Sequence, residues 1–232
     1  MEEITILQNG FSEAYMSYLY GKMKERFSFL PSEYGMEKEG ETTKIAFKTE
    51  REYCPYVRRF AEDHIADVIA VGYKYAFFDK RLPLPLLNKE QRRILLTALV
   101  AADYREDRVF IARRIRGFEE YCLDGLFHFR LQDLKARWEE VVAYIPVDMG
   151  ETAADGFLEF VVEDGEGKVF LKNGKVYDEE YRMQNKSLLT GVESPIGEIL
   201  LSGAERVYCF GEADGETKEF LEKYYREKAI FC

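Results

Sequence analysis

Cys122, Asp124 and His128 stand within one short stretch of the chain, and together they hold the residue types of an activated thiol. A cysteine becomes a nucleophile when a nearby imidazole draws off its proton and a third group orients that imidazole. If the fold brings these three side chains face to face, covalent chemistry follows; if not, each has an ordinary structural role. His64 is the other histidine, with Glu62, Asp63 and Asp67 beside it. One metal ion fits that set on paper, but charges at this spacing ordinarily decorate a solvated helix face, and a histidine on an apolar stripe is ordinarily a hydrogen-bonded core residue. No P-loop, dinucleotide-binding glycine fingerprint, HExxH, EF-hand loop or nucleophile elbow occurs. Gly165-Glu166-Gly167 sits among acids that would repel a phosphate, so it reads as the turn of a β-hairpin. No catalytic residue, cofactor or metal ligand is assigned. An enzyme of unrecognised type working through Cys122, His128 and Asp124 stays as an alternative.

The strongest local charge feature is basic. Arg113, Arg114 and Arg116 follow Arg105 and Arg108 by one or two helical turns. Such a cluster can hold phosphates or an acidic partner surface. Glu106, Asp107, Glu119 and Glu120 dilute it, and a chain of net charge −10 is a poor non-specific nucleic-acid binder. Salt bridges to neighbouring helices or to the acidic C-terminal third are the ordinary occupation of such a cluster, and a protein partner is the competing reading. A nucleic-acid accessory role through Arg113, Arg114 and Arg116 is the second alternative. Residues 146–232 carry 10 Lys and Arg against 19 Asp and Glu, whereas residues 51–145 are slightly basic.

These residues must be positioned by a mixture of helices and strands. Ile4 and Ile6 predict an opening strand ended by Asn9-Gly10. Phe11, Tyr15, Tyr18, Leu19, Met23 and Phe27 recur at helical steps, with Ser12 as N-cap. Residues 33–41 read as a polar connection, and Thr43, Ile45 and Phe47 as a half-buried strand, which makes the opening β-α-β. Helical spacing continues over residues 56–79. A capping box of Asn88 and Gln91 opens the next helix. Another starts near residues 103–107, placing Val109, Phe110, Ala112, Ile115 and Phe118 together, and a last one runs from about residue 126 to 144. Beyond Pro146, residues 157–162 and 168–171 read as paired strands, Asn173-Gly174 as a turn, 187–201 as a helix broken by Pro195, 206–210 as a strand, 216–226 as a helix and 229–232 as a closing strand. The termini are expected to share one sheet. The fold class is α+β: a central helical bundle with an N-terminal β-α-β unit and a small C-terminal α/β portion. With no linker or repeat, residues 1–232 read as one domain of three parts, 1–50, 51–145 and 146–232.

The stretch from Glu120 to Leu134, and within it Asp124, Gly125, Phe129, Arg130, Leu131 and Asp133, resembles the signature phrase of the YtxC-like sporulation family of endospore-forming Firmicutes. Leu188-Leu189, residues 206–210 and the terminal cysteine are similar as well. The resemblance implies a cytoplasmic, sporulation-associated protein and supplies no mechanism. In the phrase itself, Asp124 and Gly125 are expected to form a turn that caps the following helix, with Arg130 and Asp133 fixing that helix against its neighbours.

Scattered cysteines, a start without a basic or long apolar leader, and apolar runs well short of ~20 residues point to reduced thiols, no secretion signal and no membrane insertion. The functional expectation is a non-enzymatic cytoplasmic protein acting by protein–protein interaction, with nucleic acid disfavoured as a partner.

Overall fold

A computed structural model describes residues 1–10 and 13–232. Phe11 and Ser12, the expected first apolar position and N-cap of the first helix, lie outside them. The structure is α+β and divides into two compact units: residues Met1–Tyr73 with Arg105–Glu140, and residues Lys74–Tyr104 with Val141–Cys232.

In the first unit the strands β1 (Glu2–Asn9), β2 (Ser32–Glu39), β3 (Thr42–Thr49) and β4 (Glu120–Cys122) form a sheet of order β2-β3-β1-β4. β1 (Glu2–Asn9) turns Ile4, Ile6 and Gln8 inward, as its alternation requires. β2 (Ser32–Glu39) and β3 (Thr42–Thr49) form a hairpin around Gly40-Glu41, and Gly40 supplies the positive φ of 60° that such a two-residue turn needs. β2 therefore replaces the expected polar connection. It is an edge strand, mostly exposed, and had no apolar alternation to announce it.

The helix Glu13–Phe27 lays Met16, Leu19, Met23 and Phe27 against the sheet and the helix Cys54–Asp67. Phe27 meets Phe47 and Phe60 edge to face, with ring centroids 5.6 and 5.0 Å away. Burial of each such side chain stabilises the fold by about 1.5–3 kcal/mol. The helix Cys54–Asp67 continues as a π-helical segment, Val68–Tyr73. After residues 74–104 the chain returns to this unit along the helix Tyr104–Ile115, and Gly117 (φ 81°) breaks the path before β4 (Glu120–Cys122), which pairs in parallel with β1. The middle of the chain is thus not all-helical. Three residues are too few for a two-residue period to be read. A helical turn, Leu123–Gly125, a π segment, Leu126–Arg130, and the start of the helix Gln132–Tyr144 complete the unit.

The second unit holds the helices Lys74–Arg81 and Lys89–Ala102. Asn88 and Gln91 form the anticipated capping box on the latter. Residues 157–162 are not a strand: they belong to the helix Glu151–Glu163, which buries Ala154, Leu158 and Val162 at four-residue steps. Their aromatic and β-branched run satisfied both periods, and the four-residue step that starts upstream at Ala154 is the one the fold buries. Consequently residues 164–167 link a helix to a strand, where a hairpin was expected. A Cβ at Gly165 would stand 2.8 Å from the Ala204 carbonyl oxygen, so the need for glycine there is close backbone contact.

β5 (Lys168–Lys172), β6 (Lys175–Tyr177), β7 (Arg206–Phe210) and β8 (Ala229–Phe231) form a second sheet in the order β6-β5-β7-β8. β5, β7 and β8 run parallel, and Asn173 and Gly174 turn β5 into β6 with φ of 52° and 70°. Pro195 does not break a helix. It starts the helix Pro195–Ser202 under a Ser194 cap, where its missing N–H is no loss. The helix Gly215–Phe220 leads through a π segment, Leu221–Tyr225, to β8. Since β1 and β8 lie in different sheets, the termini do not share one.

Candidate functional site

The three residues that could build a nucleophile have other occupations. Asp124 accepts the Tyr73 phenolic proton at 2.8 Å and the Asn9 backbone N–H at 2.7 Å. It ties β1 to the π segment Val68–Tyr73. The Tyr73 phenol is pushed above its ordinary pKa, first by burial and then by the Asp124 charge. Cys122 is half-buried at the end of β4. His128 is exposed, with its ring 5.2 Å from that of Phe127. Among the described residues no hydrogen bond joins Cys122, His128 and Asp124 to one another.

His64 is a clasp within the helical layer. Its Nδ1 lies 3.1 Å from one Asp67 carboxylate oxygen, and Arg108 Nε donates to the other at 2.7 Å. The imidazole meets Phe60 edge to face at 4.4 Å. Glu62 accepts from Tyr121 and from the Gly117 backbone, and Asp63 lies 3.7 Å from Arg108. Among the described residues no three His, Cys, Asp or Glu side chains converge on a metal-sized site. Asp107, also buried, accepts the Trp138 indole N–H at 2.8 Å and pairs with Arg137. Each buried acid thus joins two segments of the first unit, in keeping with the rule that buried charge needs partners.

The family-like phrase is structural in a different manner from that expected. Gly125 is helical, with φ −62° and ψ −43°, so it makes no turn, and Asp124 bonds across the fold where a local helix cap was anticipated. Asp133 does fix its helix to a neighbour, through Arg114 at 2.9 Å. The Arg130 guanidinium stacks 5.6 Å from the Phe118 ring.

The arginine cluster faces outward among exposed Glu106, Glu119 and Glu120. The helix Tyr104–Ile115 buries Tyr104, Asp107, Ile111 and Ile115, which sends positions 109 and 113 to the opposite side; Arg116 follows in the turn after it. Arg113, Arg114 and Arg116 are all exposed, and among the described residues Arg113 and Arg116 make no ion pair. Arg114 and Arg137 both stack on Phe110, at 5.0 and 4.8 Å. Cations at this end also suit the carbonyl pole of the helix. Val109, expected inward with Phe110, is 46% exposed, and Phe129 is 81% exposed. The flanking arginines at positions 108 and 113 were the available signal for Val109; for Phe129 the π segment destroys the spacing on which an inward reading rests.

Among the described residues no helix is long and apolar enough to cross a membrane. Compared with family models, with curated proteins and with solved structures, the chain has no match.

Proposed function

We propose that this chain acts by binding a protein partner in a cytoplasmic, sporulation-associated setting, and that the first unit presents the surface for it. The reading is supported above all by the joint exposure of Arg113 and Arg116, unpaired among the described residues, with Val109. Cations beside exposed apolar side chains suit an acidic partner surface with a small apolar anchor. The phrase containing Phe129 and Arg130 supplies the cellular context through its resemblance to the YtxC-like family.

The test is site-specific photo-crosslinking in sporulating cells of an endospore former, with benzoylphenylalanine at Phe129 and, as control, at exposed Phe29. A discrete adduct at position 129, lost when R113E and R116E are combined, supports the reading. Adducts of equal yield from both sites, or adducts indifferent to charge reversal, overturn it.

A further inference from the structure

A parallel sheet is usually covered on both faces. In the second unit β5, β7 and β8 are parallel, yet one face stays open. Val169, Leu171, Val176, Val207 and Cys209 are each at most 3% exposed and pack against Leu158, Val162, Ile196, Ile199 and Leu200 of the covering helices. The alternate residues face the other way. Register pairs them as Lys168 with Arg206, Phe170 with Tyr208, and Lys172 with Phe210; Tyr177 and Lys175 continue the second and third rows, and Ile230 lies beside Tyr208.

The outward strand positions carry four cations, four aromatic rings and no carboxylate, on a segment where acids outnumber bases by 19 to 10; the adjoining loop adds Asp178, Glu179 and Glu180, of which Asp178 and Glu180 pair with Arg182. Among the described residues Lys168, Lys172, Lys175 and Arg206 enter no ion pair. Phe170 is the hub, with the rings of Tyr208 and Phe210 at 5.8 and 6.1 Å. Tyr181 stacks on Phe170 at 4.8 Å and 4° between planes, and is itself 68% exposed. Its backbone has φ 57°, an uncomfortable value for a tyrosine. The loop 178–182 holds it there: the Asp178 carboxylate accepts the N–H groups of Glu180 and Arg182 at 3.0 and 2.9 Å. Glu179 is turned to the backbone N–H of Lys168.

From this geometry we infer that the open face binds single-stranded nucleic acid, its bases stacking on Tyr181, Tyr208 and Phe210 and its phosphates meeting Lys168, Lys172, Lys175 and Arg206. Rings need unstacked bases, so a duplex does not fit.

The experiment is fluorescence anisotropy on the full chain with labelled twelve-nucleotide oligo(U) and oligo(dT) and a twelve-base-pair duplex. Single strands are expected to bind and the duplex not. With three or four phosphates contacted, affinity should fall roughly 20- to 50-fold between 50 and 200 mM salt. Y181A and F210A should each weaken binding roughly 5- to 150-fold, Y181F should retain it, and R113E with R116E, which only adds general negative charge, should cost less than loss of either ring. A preference for oligo(U) or oligo(dT) tells RNA from DNA. Since Tyr181 and Phe210 are exposed, unchanged melting curves certify the variants. Absence of single-strand binding at 50 mM salt, equal duplex binding, self-association through this face, or loss only with the arginine variants would each sink the proposal. None of these outcomes bears on the crosslinks from Phe129.

Discussion

Tyr121 donates its phenolic proton to the Glu62 carboxylate at 2.7 Å, and the Gly117 N–H donates to the same oxygen at 2.8 Å. A buried acid on the helix Cys54–Asp67 thereby gathers β4 and the glycine turn that leads into it. The tyrosine is raised above its ordinary pKa by burial and then by this hydrogen bond. Y121F leaves Glu62 short of one donor, and a loss of about 1–3 kcal/mol in urea unfolding is expected. Stability equal to the parent would mean that the pair contributes nothing.

The second unit contains a carboxylate pair. Glu216 is pushed up to about 7 from an ordinary 4.5, chiefly because it shares a hydrogen bond with Glu90; Arg93 faces both. An acid raised on folding favours the fold while protonated, below the unfolded value, and that benefit is lost as pH climbs through the folded value. Stability should decline between about pH 4.5 and 7 from this source. E216Q cannot ionise, so its melting temperature should vary less between pH 5 and 8 than the parent's. Parallel curves would exclude the pair as a pH-dependent element.

Gly72 lies where the π segment passes Tyr15. A Cβ there would stand 2.6 and 2.8 Å from atoms of that buried ring. G72A is expected to cost about 1–3 kcal/mol by overpacking. Adding Y15L should return part of the loss, because the two residues share one contact. Additive costs in the double mutant would contradict the clash.

Thiol reactivity separates the binding reading from the nucleophile alternative. Cys232 is exposed, whereas Cys209 is buried and held up to about 11, by burial first and then by Cys232. With iodoacetamide at pH 8, Cys232 should react first, Cys122 more slowly, and Cys54 and Cys209 only on unfolding. Cys122 outrunning Cys232 would revive a thiolate at that position.

Local chemistry was legible where one short signal suffices. Asn88 with Gln91 announced a helix start, and Asn173-Gly174 a hairpin, because each demands a particular backbone on its own. Phe157–Val162 misled because an apolar run fits a buried helix as well as a strand. Gly165 and Gly167 were recognised as special, but the contact that requires glycine at 165, the Ala204 backbone, is remote in sequence. The candidate surfaces were harder. Residues 168–171 and 206–210 were legible as strands, but which face the helices would cover is a property of topology. Arg113, Arg114 and Arg116 stood out by charge alone, and the exposure of Phe129 follows from a π segment that no spacing announces.

Each compact unit is assembled from two separated lengths of chain, and β1 waits for β4 more than a hundred residues later. A nascent chain leaving the ribosome must therefore keep its opening strand unmatched on one side until that late segment emerges, and loop closure of this span slows assembly. Neither unit can be cut out as a continuous fragment, so a genetic truncation between residues 74 and 104 removes material from both.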